Sequence, residues 1–202
     1  MRLARIAPLL AAASLTACAG GAGFGTYSLV QPGPRAVAAG RMTVTPPQAW
    51  NRVPRGTYDI REEENWTLNG PILDSVSFVA GLKDGKAIVR QRRRDDRQVP
   101  VFRANMTPPE IVAMIESFYR IRAGAAEFAV TGLKPATFVG RPGLQLDYDY
   151  LDGNEIKRRG RSYGAVVNGQ LYLMLLDATR MHYFDAALPG FETMARGAAL
   201  RG

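Results

Sequence analysis

Residues Leu171 to Leu176 (Leu-Tyr-Leu-Met-Leu-Leu) form a continuous apolar run, and Asn168-Gly169 stands just before it. A strand with one wet face alternates apolar and polar residues; one that is apolar throughout is covered on both faces. The fold must therefore supply two covering layers. One is predicted after Thr107-Pro108-Pro109-Glu110. Thr107 can cap, Pro108 suits the first helical position, and Glu110 completes a capping box. Ile111, Met114, Ile115 and Phe118 recur at helical spacing up to Gly124. The other cover is predicted from Ala178 to Leu200. There Met181, Phe184, Leu188, Phe191 and Met194 suit one or two helical pieces, broken near Pro189-Gly190.

The remaining elements read as strands. Met42 to Val44 forms a first strand stopped by Pro46-Pro47, and Trp50 and Val53 lie in an irregular segment. Trp50 and Trp66 read as core or rim aromatics, and Glu62-Glu63-Glu64 as an exposed loop or edge. Ile72 to Ala80 is a strand, Asp84-Gly85 a hairpin turn, and Ala87-Ile88-Val89 starts the returning strand, which runs into Arg90 to Arg97. Phe128 and Val130 start one strand and Phe138-Val139 another, separated by Leu133-Lys134-Pro135. Leu144, Leu146, Tyr148 and Tyr150 alternate with Gln145, Asp147 and Asp149, a period of two. Asp152-Gly153-Asn154 turns the chain, and Ile156 to Val167 returns. A two-residue turn at either Asp152-Gly153 or Gly153-Asn154 sets Arg158 opposite Asp147 or Asp149 as a cross-strand ion pair. The expected fold class is α+β, a mainly antiparallel sheet with helices on both faces.

At the N-terminus, Arg2 and Arg5 precede an apolar stretch and then Leu15-Thr16-Ala17-Cys18. The stretch is too short to span a bilayer, which takes roughly 20 residues, and its order is that of a secretory signal. Leu-Thr-Ala-Cys resembles the lipobox of bacterial lipoproteins. The resemblance implies a signal peptide over residues 1–17, cleavage before Cys18, and acylation of Cys18 as a membrane anchor. Ala19 in place of Asp implies the outer membrane, facing the periplasm, by the family's sorting rule. Ordinary secretion, with cleavage near Ala17 or Ala19, is the alternative. Cys18 is the only cysteine, so no intrachain disulfide forms. Residues 18–40 read as the lipidated Cys and a flexible Gly/Pro tether, because they cannot bury enough apolar area alone. Residues 41–202 suit a single domain.

The run Gly164 to Leu173, containing Asn168-Gly169-Gln170-Leu171-Tyr172, then Ala178, Tyr183-Phe184 and a closing helix, looks like the end of PsbP-like domains. The capped helix at Thr107 sits where that family's middle helix falls. The resemblance implies an alpha/beta/alpha sandwich and an accessory or binding role.

Chemistry is sparse. Zinc and iron sites want several His or Cys ligands, but His182 is the only histidine and Cys18 is spoken for; no metal or cofactor is expected. Asp147, Asp149, Asp152 and Glu155 approach a calcium loop but read as a hairpin with exposed acids. Formal net charge is +8, or +6 once Arg2 and Arg5 leave with the signal. In an envelope this basicity points to anionic lipid, lipopolysaccharide or an acidic protein partner rather than to nucleic acid. Two clusters carry it: Arg90, Arg92, Arg93, Arg94 and Arg97; and Lys157, Arg158, Arg159 and Arg161. The expectation is a non-catalytic envelope lipoprotein docking to an envelope protein or anionic surface. The alternatives are an envelope hydrolase using carboxylates such as Asp147 and Asp149, and a carrier of an apolar ligand.

Overall fold

The computed structural model describes residues 25–90 and 99–201. In chain order, β1 (Ser28–Val30), β2 (Arg35–Val37), β3 (Met42–Val44), β4 (Trp50–Arg52), β5 (Glu63–Thr67) and β6 (Asp74–Lys83) precede α1 (Pro108–Arg122). Then come β7 (Glu127–Phe138), β8 (Arg141–Leu151), β9 (Lys157–Val167), β10 (Gln170–Thr179), α2 (Tyr183–Arg196) and β11 (Ala199–Leu200). Eight strands form one antiparallel sheet in the order β1-β4-β5-β6-β10-β9-β8-β7, and β11-β3-β2 form a small second sheet. The class is α+β, with a large antiparallel sheet and two helices.

Local chemistry explains the clearest elements. Asn168 (φ 50°) and Gly169 (φ 71°) make the two-residue turn with positive φ at both positions that matches strand twist. It sets Gln170 opposite Val167 and aligns β9 with β10. The Glu110 carboxylate accepts hydrogen bonds from the Thr107 amide at 2.6 Å and from its hydroxyl at 2.7 Å, closing the start of α1. β10 lies between β6 and β9, and its side chains divide by parity. Leu171, Leu173 and Leu175 pack with Ile111, Met114, Ile115 and Phe118 of α1. Met174, Leu176 and Ala178 pack with Phe184, Ala187, Phe191 and Met194 of α2. Trp50 and Trp66 are fully buried in this second cluster.

Several sequence expectations give way. The stretch expected as tether up to Gly40 contains β1 and β2, and Val30, Val37 and Ala38 are buried. Alone the segment could not order itself, but β1 adds to β4 and β2 to β3. The rest of the chain supplies the partner strands. Trp50 begins β4 rather than an irregular segment. Gly85 turns as expected (φ 76°), yet Ala87 makes only an isolated bridge to Val101. β5 and β10 take both edges of β6 from Val76 to Val79, so a returning strand could not extend along it beyond the turn. β7 runs unbroken through Pro135 because it is an edge strand paired only to β8, where a missing N–H is tolerated. α2 is one helix across Pro189, held by its buried Phe184, Ala187, Phe191 and Met194; Met181 stands outside it, exposed.

The connection from β8 to β9 spans residues 152–156, longer than either two-residue turn. Tyr150 therefore pairs with Arg158, Asp149 with Arg159, and Asp147 with Arg161. This slip, by one residue from the Asp149 register and three from the Asp147 register, turns Arg158 to the opposite face from both acids, and the expected pair of Arg158 with Asp147 or Asp149 does not form.

Candidate functional site

Strand parity divides the basic run on β9. Arg158 is 4% exposed. Its Nε and Nη2 meet the Asp177 carboxylate at 2.6 and 3.0 Å, and Nη1 donates to the Ile72 carbonyl at 2.6 Å. Tyr150 donates its hydroxyl to the same carboxylate at 2.6 Å. Burial works against the Arg158 charge, but Asp177 outweighs it and holds the guanidinium above its ordinary value. Arg158 is thus an internal clamp, not the surface cation its place in a basic run suggests. Arg159 pairs with Asp149 at 2.9 Å, and its guanidinium stands 5.7 Å from the Phe184 ring centre. Arg161 joins Asp147 at 2.5 Å and Glu192 of α2 at 2.9 Å. Asp147 and Asp149, the carboxylates of the hydrolase alternative, are each held by an arginine. Lys157 is exposed at the rim of a 200 Å³ cleft shared with Glu127 and Arg180.

Of the other basic cluster only Arg90 falls among the described residues, and it lies toward the far end of the sheet. Arg90 is exposed; Arg92, Arg93, Arg94 and Arg97, like Cys18 and the signal segment, lie outside the described residues. Arg90 lines a 390 Å³ cleft with Arg55, Arg61 and Lys86, all exposed. Among the described residues, none of these four side chains pairs with a carboxylate. The cleft wall includes Ile60, Leu82, Ala87 and Val89. Backbone and side-chain bonds fix its outline. Arg55 Nη2 donates to the Arg61 carbonyl at 2.8 Å, and the Arg90 amide donates to the Tyr58 carbonyl at 2.8 Å. Two acids share the lining, Glu62 and Asp59. Asp59 is committed: it takes Arg122 of α1 at 2.7 Å and the Gly56 amide at 2.8 Å. The composition signal missed this group because Arg55, Arg61 and Lys86 are scattered along the sequence and each is unremarkable there.

Behind the cleft, Glu63 of β5 is 1% exposed, in place of the exposed acid expected of Glu62-Glu63-Glu64. One carboxylate oxygen pairs with Arg122 and takes the Asn65 amide; the other is buried with no partner among the described residues. Burial pushes the Glu63 carboxyl above its ordinary value, more than Arg122 lowers it. A third buried group is tyrosine-rich. The Tyr148 hydroxyl donates to the Leu176 carbonyl at 3.0 Å, so at its 2.6 Å contact with Tyr119 the donor is Tyr119. Tyr148 lies against Gly160, where a Cβ would come within 2.1 Å of its ring. His182 is exposed beside Tyr183, before α2.

The fold is similar to that of cyanobacterial PsbP (CyanoP) from Synechocystis sp. PCC 6803. The TM-score is 0.54 at 14% identity, with 93% of this chain and 99% of that chain covered. Weaker likenesses are protein PA94 of Pseudomonas aeruginosa (TM-score 0.46, 12% identity, 81% and 99% covered) and LpqN, involved in cell envelope biogenesis of Mycobacterium tuberculosis (0.35, 11%, 88% and 86%). No family model and no curated protein sequence matches the chain. At this identity the likeness to CyanoP bears on the fold alone.

Proposed function

We propose that this is a non-catalytic envelope lipoprotein, anchored through acylated Cys18 in the outer membrane and facing the periplasm. Its PsbP-like sandwich, with one helix on each face of the large sheet, serves as an accessory module that docks to an anionic envelope component. One observation carries the docking: four exposed cations without carboxylate partners among the described residues, Arg55, Arg61, Lys86 and Arg90, surround one cleft. Guanidinium forks and an ammonium so placed suit phosphate or carboxylate. The test has two arms. Cys18→Ser releases the protein from the membrane fraction of cells; retention there overturns the anchor. The purified protein sediments with anionic vesicles more than with zwitterionic ones, and Arg61→Glu with Lys86→Glu removes the difference; a persisting difference overturns this docking site.

A further inference from the structure

The chain enters the folded body beside the basic cleft. Ser28 pairs with Arg52 across β1 and β4, so residues before Ser28 run alongside those after Arg52. A Cβ built on Gly25 would fall 2.7 Å from the Pro54 Cβ, which places Gly25 next to the neighbour of Arg55. Only Ala19 to Phe24 separate Gly25 from Cys18. A stretch this long reaches about 25 Å when fully extended and roughly 15 Å as a root-mean-square coil. The opposite end of the sheet is far off. β6 ends at Lys83 near the cleft and begins at Asp74, nine residues away, or about 30 Å at 3.3 Å per residue. Asp74 pairs with Ala178, and Thr179 with Arg158, so Lys157 lies at that distant end.

We propose that the cleft faces the bilayer that holds the acyl chains of Cys18 and takes the phosphate headgroups of its anionic lipids. The proposal rests on the reading of Cys18 as the anchor. A short leash that leaves the body beside Arg55 keeps this end of the sheet at the headgroup layer. The same end presents Arg55, Arg61, Lys86 and Arg90, whose charge complements lipid phosphate. Ile60 and Ala87 between them, both half-buried, offer a small apolar surface to the glycerol and first methylenes.

The lysines, Lys83, Lys86, Lys134 and Lys157, provide the readout. The full acylated chain is reconstituted in phosphatidylethanolamine vesicles with or without phosphatidylglycerol, treated briefly with an amine-reactive reagent, and its lysines quantified by mass spectrometry. Lys86 is expected to react about fivefold more slowly when phosphatidylglycerol is present, the factor of roughly one cation's contact with an anionic surface. Lys157 should be unchanged. Arg61→Glu with Arg90→Glu should restore Lys86 labelling. Lys86 reactivity indifferent to phosphatidylglycerol, equal protection of Lys157, or protection surviving the double reversal overturns the proposal and leaves the anchor standing. A chain from the native membrane whose Cys18 carries no acyl group overturns the anchor and the proposal together.

Discussion

Arg158, Arg159 and Arg161 carry the same guanidinium as Arg55, Arg61 and Arg90, yet the two groups have opposite surroundings. The first three lie on one strand, and the neighbouring strands set acids against them: Asp147 and Asp149 directly opposite on β8, Asp177 on the diagonal on β10. The others come from loops converging on a cleft, where no strand register brings a carboxylate alongside. A run of charges on a strand is thus readily consumed by cross-strand partners, while scattered loop charges stay available. The density of basic residues in sequence points toward the first group; availability points toward the second.

Breaking the internal group should have the largest effect. Arg158→Ala leaves Asp177 buried without its partner and should cost about 3–5 kcal/mol in urea unfolding. Adding Asp177→Ala should recover much of that loss. An undiminished stability in Arg158→Ala would erase the contrast.

The second prediction concerns Glu63, behind the cleft. Below its ordinary value of 4.5 it is protonated in both folded and unfolded chains. Between 4.5 and its raised folded value, the native state keeps a proton that the unfolded chain has lost. Its contribution to stability is therefore present at low pH and lost as pH rises through that window. Glu63→Gln should flatten this fall in a series of urea midpoints from acid to neutral pH; an unaltered slope would refute the assignment.

Smaller effects follow on the half-exposed pairs. Arg161→Ala breaks contacts to both Asp147 and Glu192 and should cost about 0.5–1 kcal/mol, with Arg159→Ala at the low end of that range or below it. Neither should change sedimentation with anionic vesicles much. Last, Lys86→Glu and Arg61→Glu should shift stability by about 0.5 kcal/mol or less while reducing that sedimentation. Thermal unfolding and vesicle binding measured on the same four variants would rank the two groups in opposite orders.

The parts legible in sequence are those fixed by local chemistry. The capping box at Thr107, the Asn168-Gly169 turn and the alternation from Leu144 to Tyr150 each specify their element within a few residues. What local chemistry does not hold was missed. Val30 and Val37 order their segment only because β4 and β3 await them. Glu63 is buried because Arg122, fifty-nine positions on, reaches back to it. Arg158 escaped a surface reading only once the five-residue connection set the register. The cleft was invisible because its cations converge from separated loops, and of its four only Arg90 stood in a basic run.

The tyrosines buried between α1 and β8 have an optical consequence. Burial, first of all, pushes the hydroxyls of Tyr119, Tyr148 and Tyr150 far above the ordinary value of 10. Phenolate absorbs ultraviolet light differently from phenol, so these three rings stay spectrally silent in alkali for as long as the fold persists. Their absorbance change should arrive as one abrupt step on unfolding, a built-in dye for the integrity of the core.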